Sequence, residues 1–207
     1  MAFPDRVAIA SRNAHKLREL GRICADWPVT WITVDNHDPS AFPEVEETGD
    51  TYLENALLKA RAISEALGVP AIADDSGIEV DALGGKPGPR SARYSGEDAT
   101  DEQNLEAMMQ AMRGIPSGGR TARYRCIAAI AWPEGRELHT DGTCEGTLVN
   151  KRHGERGFGY DPIFVPEGWD ETMAQLTDEQ KDRISHRGRA FRGLRQLLDE
   201  ASLPDSR

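Results

Sequence analysis

Residues 70–77 read Pro-Ala-Ile-Ala-Asp-Asp-Ser-Gly, a short apolar run that leads directly into two adjacent aspartates. The apolar part predicts a short buried strand, and the Asp-Ser-Gly end is typical of a turn. Just upstream, residues 51–67 are rich in Ala and Leu, and Gly68 follows as a C-terminal stop, which predicts a helix. A helix followed by a buried strand indicates a mixed α/β fold.

The flanking sequence continues this alternation of helices and strands. Strands are predicted at residues 7–10 and 31–34, and helices at residues 16–23, 101–112, 177–182 and 185–200. Two apolar segments, residues 122–132 and 137–149, are separated by a Pro-Glu-Gly turn and predict an antiparallel hairpin. Since neither a repeat nor a dividing linker is evident, we expect one domain over residues 1–207, with an ordered core at about residues 6–199.

Charge and cysteine content narrow the class of protein. The chain has 25 Lys and Arg against 35 Asp and Glu, a formal charge of −10, which argues against a protein that binds long nucleic acid. A small anionic substrate is compatible with this charge if a local basic cluster or a bound cation receives it. The three cysteines show no metal or redox spacing, so we expect them to be reduced and structural.

The N-terminal residues form no long apolar segment, and no apolar run of roughly 18 residues occurs in the chain. We therefore expect a cytoplasmic protein that has no contact with a membrane.

A first candidate site for phosphate lies between the first strand and the first helix. Free backbone N–H groups and the helix dipole favour an anion there, and a lysine adds a mobile positive charge. An ordinary capped helix with a surface lysine is the alternative, because neither a Walker loop nor a dinucleotide fingerprint is present. The residues are Ser11, Arg12, Asn13, Ala14, His15 and Lys16.

Carboxylates from two distant segments form a candidate metal site. Glu44, Glu46 and Glu47 precede the helix at residues 51–67, and Asp74 and Asp75 follow the buried strand. Ligands of open α/β sheets gather at the carboxyl ends of strands, so these groups can meet there. Mg²⁺ takes carboxylate oxygens and keeps water and phosphate oxygens as its other ligands. The alternative is a solvated helix entrance and a simple turn.

Three further segments are candidates for ligand contact. Residues 84–94 form a Gly- and Pro-rich loop. One interpretation is that this loop brings its backbone and arginines close to a ligand, and the other is that it is a rigid surface loop. Residues 157–164 begin with two aromatic rings, Phe158 and Tyr160, and an aspartate among glycines. This composition suits stacking on a base, and a hydrophobic turn is the alternative. A basic cluster at the start of the last helix invites an anion or an electron-rich acceptor; its members are Lys181, His186, Arg187 and Arg189. The five histidines lack zinc-ligand spacing.

Together, six motifs resemble the inosine/xanthosine triphosphate pyrophosphatase family, and the resemblance extends over about residues 7–198. Each motif is modest by itself, but six in the same order are specific. They are the segment from Ser11 to Lys16, residues 46–49 with 54–56, residues 73–77, residues 87–96, residues 157–164 and residues 185–188.

The resemblance implies an elongated mixed β-sheet with flanking helices, in two lobes around a central nucleotide cleft, and a homodimer. It implies hydrolysis of ITP, dITP and XTP to the monophosphate and pyrophosphate with Mg²⁺ as cofactor, which removes these nucleotides before they enter DNA or RNA. Ser11 stands where the family commonly has Thr, and Arg12 where Gly is common.

The resemblance also assigns roles to residues. Residues 11–16 would bind phosphate, and Glu47 and Asp75 would hold Mg²⁺, with Asp75 also acting as general base and Ser76 touching substrate. The remaining contacts, to base and sugar, would be made by Phe158, Gly159, Tyr160, Asp161, Lys181, His186 and Arg187.

Three alternatives stay open. A related pyrophosphatase for modified pyrimidine or methylated nucleotides would differ only in its base pocket. A non-catalytic nucleotide-binding regulator would bind nucleotide with Mg²⁺ and release no pyrophosphate, although Asp74, Asp75 and Lys16 argue against it. An aspartyl phosphatase would use Asp74 as a covalent nucleophile.

Overall fold

A computed structural model describes residues 3–202 of the chain. Within this range, five α-helices and seven strands confirm the predicted mixed α/β class. The helices are α1 (Ala14–Ile23), α2 (Tyr52–Leu67), α3 (Asp101–Ala111), α4 (Asp178–Ile184) and α5 (His186–Ser202). The strands are β1 (Arg6–Ile9), β2 (Thr30–Ile32), β3 (Ala71–Val80), β4 (Lys86–Pro87), β5 (Thr121–Ala131), β6 (Glu137–Leu148) and β7 (Phe164–Pro166).

These strands form one mixed sheet. Its order is β2-β1-β3-β5-β6-β7, and β4 pairs with β3. β1 is parallel to β2 and β3, whereas β4 is antiparallel to β3 and β7 is antiparallel to β6. β5 and β6 are neighbours joined by residues 132–136 alone, and so short a connection requires antiparallel strands, as the hairpin prediction stated.

Helix α2 begins and ends where the sequence indicated. The Thr51 hydroxyl accepts the Glu54 N–H at 3.2 Å, and the Glu54 carboxylate accepts the Thr51 N–H at 2.9 Å, which is a reciprocal capping box. Gly68 ends the helix with φ of 63°, a left-handed conformation in which glycine has no Cβ penalty. The two caps fix where α2 begins and ends. They therefore also determine which side chains of α2, such as Asn55, face β3.

The prediction that a strand ends before the acidic pair was wrong. β3 continues to Val80, so residues 74–77 are extended strand and not a turn. β1 pairs with β3 at Ala71 and Ile72, before the acidic pair. Asp74 and Asp75 therefore lie inside β3, beside the carboxyl end of β1, and project from opposite faces of the strand because successive strand residues alternate.

The chain divides into two compact units. Unit 1 contains residues 3–75, 127–142 and 189–202, and unit 2 contains residues 76–126 and 143–188. The core of unit 1 includes Ala8, Ile32, Phe42, Ile63 and Ala71. The core of unit 2 includes Ile78, Leu105, Met108, Phe164 and Met173. β3, β5 and β6 each supply residues to both units, so neither unit is one continuous segment. None of the helices within residues 3–202 has both the length and the apolarity that crossing a membrane requires.

Replacing Thr51 with Ala removes the acceptor that caps α2. We expect the free energy of unfolding to fall by about 1 kcal/mol, measured by urea denaturation followed by circular dichroism. Thr51→Ser keeps the hydroxyl and should change the unfolding free energy by no more than a few tenths of a kcal/mol. An equal loss in both variants would contradict the capping role.

Candidate active site

The first aspartate of β3 contacts a lysine of α1. Lys16 Nζ lies 3.2 Å from Asp74 Oδ2, and the Asp74 side chain is only 1% exposed. An ammonium group has three donors, so Lys16 can contact a second anion without releasing Asp74. This arrangement gives Asp74 a positioning role toward Lys16.

The N–H groups before α1 were predicted to be free, but side chains of the same motif accept from them. Asn13 Oδ1 accepts from the N–H groups of His15 at 2.9 Å and Lys16 at 3.2 Å. The Asn13 N–H donates to Ser11 Oγ at 3.2 Å. Asn13 is therefore the N-cap of α1. Lys16, which was predicted to add a mobile charge, is paired with Asp74.

The other members of the motif are exposed. The Arg12 guanidinium donates to the carbonyl oxygens of Phe42 and, at 3.4 Å, Pro39, and so ties the motif to the loop before α2. The His15 ring lies 2.9 Å from an Arg18 nitrogen, and Ala14 begins the helix.

The second aspartate of β3 is directed to α2. Lys59 Nζ lies 2.5 Å from Glu47 Oε1 and 3.5 Å from Asp75 Oδ1. The Asn55 side-chain N–H donates to Asp75 Oδ2 at 3.3 Å. The two predicted metal ligands, Glu47 and Asp75, are thus brought together around one ammonium group.

Burial and charge shift the protonation of this cluster. Burial raises the pKa of Asp75, and the charges of Lys59 and Lys16 partly oppose that rise. Burial alone would lower the pKa of Lys59, but Asp75, Glu47 and Asp74 outweigh it, so the net pKa of the ammonium group is raised. Lys59 therefore stays charged, and Asp75 becomes a better proton acceptor near neutral pH than an ordinary carboxylate.

The carboxylates of Glu47 and Asp75 are the groups that could bind a divalent cation. Within residues 3–202, no group of three or more His, Cys, Asp or Glu side chains is arranged to hold a metal ion. Mg²⁺ needs only one or two protein carboxylates, since water and phosphate oxygens complete its octahedron. Glu47 and Asp75 already converge on one cation, so this pair fits Mg²⁺ bound together with a phosphate ligand.

In unit 2, Asp161 anchors the turn at residues 157–161. Lys181 Nζ lies 2.5 Å from Asp161 Oδ2, and both side chains are at most 6% exposed. The Phe158 N–H donates to Oδ2 at 2.9 Å, and the Tyr124 hydroxyl donates to Oδ1 at 3.3 Å. Gly157, at φ of 74°, permits this packing, because a Cβ there would lie 2.0 Å from Oδ2.

Cationic groups surround the half-buried Phe158 ring. Lys181 Nζ lies 5.0 Å and the Arg187 guanidinium carbon 5.7 Å from its centroid. Arg187 is 1% exposed and donates to Ser76 Oγ at 2.9 Å. His186 is buried and stacks on Tyr124, with ring centroids 4.6 Å apart. The structure thus brings together predicted residues from three separate segments of unit 2.

Tyr160 points into the core of unit 2. It is 4% exposed, its hydroxyl donates to the Ser91 carbonyl oxygen at 2.7 Å, and burial raises its pKa. Its neighbour Gly159 is half-buried and donates its N–H to Asp101 Oδ2 at 3.2 Å.

Known proteins were compared with the chain. The sequence profile of the Ham1 family matches residues 7–197. The chain belongs to the Ham1 family. A relative from Bacillus cereus, named dITP/XTP pyrophosphatase, is 44% identical over 202 residues, or 97% of this chain and 98% of its own. A Streptomyces avermitilis protein of the same name is 46% identical over 195 residues, or 94% and 98% of the two chains.

A solved Ham1 structure confirms the fold. The Ham1 protein of Staphylococcus aureus is 40% identical and aligns with a TM-score of 0.82 over 95% of this chain and 99% of its own. Both the predicted family resemblance and the predicted fold class are therefore confirmed.

Sequence reasoning gave no role to three side chains in the clusters of this Ham1 chain, although one of them, Asn55, lay in one of the six motifs. Asn55 and Lys59 lie one turn apart on α2, and two polar residues at i, i+4 on an otherwise Ala- and Leu-rich face were the signal. Tyr124 lies in a buried strand, β5. Nothing in the sequence distinguishes a tyrosine that donates to a buried aspartate from one that only packs in the core.

The Asp161–Lys181 pair allows a stability test. Lys181→Met leaves a buried carboxylate without its cation, so we expect the free energy of unfolding to fall by about 3–5 kcal/mol, measured by guanidinium denaturation. Asp161→Asn combined with Lys181→Met should restore a large part of that loss. Lys151→Met, at an exposed position, is the control and should be neutral. Strictly additive losses in the double variant would contradict a coupled pair.

Proposed function

We propose that this Ham1-family chain hydrolyses non-canonical purine nucleoside triphosphates, namely ITP, dITP and XTP, to the monophosphate and pyrophosphate. Such a reaction removes these nucleotides from the pool before they enter DNA or RNA. The relatives named dITP/XTP pyrophosphatase, at 44% and 46% identity over nearly the whole chain, support it. The observation that carries it is the partly buried cluster in which Lys59 bridges Glu47 and Asp75 while Lys16 pairs with Asp74.

In this proposal Asp75 is the general base. Asn55 and Lys59 each contact one of its oxygens and so hold the carboxylate in one orientation. Its raised pKa suits it to take a proton from the water that attacks the α-phosphorus. Asp74, whose carboxylate is buried and paired with Lys16, is poorly placed to act as a covalent nucleophile.

Charge on the substrate is met by two groups of unit 1. Lys16, at the start of α1, stabilises the negative charge that develops on the departing pyrophosphate. Glu47 and Asp75 would hold Mg²⁺, and the bound ion would neutralise phosphate charge and polarise the phosphoryl group. Lys59 contacts both carboxylates and holds them in place.

Base selectivity is assigned to unit 2. The half-buried Phe158 ring offers a face on which a purine can stack. Arg187 and nearby backbone donors would pair with the 6-oxygen of hypoxanthine or xanthine, whereas the amino group of adenine would leave them unpaired. Guanine shares the 6-oxygen, so its rejection depends on the shape of the pocket near its 2-amino group.

A homodimer, a cytoplasmic location and a single functional domain complete the proposal; they rest on the family resemblance and on the sequence. Sedimentation equilibrium tests the dimer directly. A pyrophosphatase for modified pyrimidine or methylated nucleotides is the nearest competitor, since it would need the same phosphate and metal groups and a different base pocket.

Pyrophosphate release from ITP, XTP, GTP and ATP should separate these functions. We expect strong release from ITP and XTP, weak release from GTP and ATP, and loss of release when a chelator removes the divalent metal. Release from all four nucleotides would indicate a broad hydrolase. Binding of ITP without release would indicate a regulator.

Asp75→Asn should lower kcat for ITP by at least about 10²-fold, because the amide cannot accept the proton. Asp98→Asn changes an exposed carboxylate in the same way and should keep full activity. Circular dichroism checks that both variants fold. Turnover that persists in Asp75→Asn would remove the general-base assignment.

A further inference from the structure

The turn that carries Phe158 also contacts a residue, Asp101, to which no substrate contact is assigned. Gly159 has φ of 61°, and its N–H donates to Asp101 Oδ2 at 3.2 Å. Asp101 is the exposed first residue of α3, and the capping box of that helix uses Thr100 and Gln103 instead. The Asp101 carboxylate is therefore free of the capping box and contacts the turn.

The helix that presents Asp101 is itself fixed in unit 2. Asn104, one turn further along α3, is 2% exposed. Its Oδ1 accepts the Ser95 N–H at 2.9 Å, and its Nδ2 donates to the Ala92 carbonyl oxygen at 2.8 Å. α3 is thus joined to the segment that precedes it, residues 88–95, by a buried amide.

That segment connects β3 to the same turn. Ser91 Oγ accepts the Ile78 N–H at 2.8 Å, and the Ser91 carbonyl oxygen accepts the Tyr160 hydroxyl at 2.7 Å. Close packing adds to this, since a Cβ on Gly77 would lie 2.5 Å from Ser91 Oγ. The turn therefore has separate attachments at Phe158, Gly159 and Tyr160, and that of Gly159 depends on Asp101.

We propose that Asp101 is a positioning residue that holds Gly159, and through it the Phe158 ring, in the arrangement that receives the purine base. The inference rests on the proposed function and extends it to a residue outside the substrate contacts. Glycine is the most flexible residue of the turn, so it is the position where an external acceptor removes the most freedom. A turn that is already ordered loses less entropy when the base binds.

The effect should appear in substrate binding and not in the chemical step. The groups assigned to proton transfer and phosphate contact, Asp75, Lys16 and Lys59, do not contact Asp101 or Gly159 among the interactions described above. Asp101→Ala is expected to raise KM for ITP and XTP about tenfold, as for loss of a hydrogen bond to a charged acceptor, and to leave kcat within about twofold.

Asp101→Asn separates two roles of the carboxylate. The amide keeps an oxygen that can accept the Gly159 N–H but loses the negative charge that favours the helix N-terminus. We expect it to restore KM to within about threefold of the unmodified protein, because the acceptor remains. Asp101→Ser, which suits a helix start but is too short to reach Gly159, should behave like Asp101→Ala. Asp98→Ala, an exposed acidic position nearby in sequence, should change nothing.

Hydrogen–deuterium exchange of the nucleotide-free protein provides a readout that does not require activity. Exchange in a peptide covering residues 156–164 should accelerate in Asp101→Ala and Asp101→Ser, and should stay slow in Asp101→Asn. An equal KM increase in Asp101→Asn, a fall in kcat at unchanged KM, or unchanged exchange in Asp101→Ala would each overturn the proposal. If the unmodified protein released no pyrophosphate from ITP, the proposed function would fail while the exchange data still decided the role of Asp101.

Discussion

The contact of Lys59 with Glu47 and Asp75 is the interaction on which the chemistry proposed for unit 1 depends. Two carboxylates brought together in a buried place repel each other and tend to take up protons, unless a cation lies between them. Lys59 supplies that cation from α2, 2.5 Å from one carboxylate and 3.5 Å from the other. With Asp74 and Lys16 included, the cluster still holds more carboxylates than lysines. A polyanion therefore approaches it favourably only together with further positive charge.

Unit 2 also contains a buried carboxylate, but its partners are arranged differently. Asp161 is buried, and Lys181, Tyr124 and the Phe158 N–H donate to its two oxygens. A carboxylate engaged in this way shapes the turn, and the half-buried Phe158 ring of that turn lies beside the buried Arg187 guanidinium. In unit 2 the buried ion pair therefore fixes the shape of a turn, whereas in unit 1 the ion pairs bring carboxylates and lysines together.

The sequence predicted most of the elements because their signals are local. The Thr51 capping box, Gly68 and the apolar periodicity of α2 are each contained within the helix and its two caps. The end of β3 was missed because Asp-Asp-Ser-Gly has turn propensity, and tertiary burial of both aspartates overrode it. The contacts of Lys59, Tyr124 and Asp101 join different elements of the fold, and local composition does not show which residue each of these side chains contacts, even where, as on α2, a polar pair stands out.

The strands shared by both units have a consequence for synthesis. The final segment of unit 2 ends at residue 188, whereas unit 1 still lacks residues 189–202 at that point. On the ribosome, residues 3–75 therefore emerge before residues 189–202, which complete their unit, have been made. No cut in the chain yields either unit as one uninterrupted fragment.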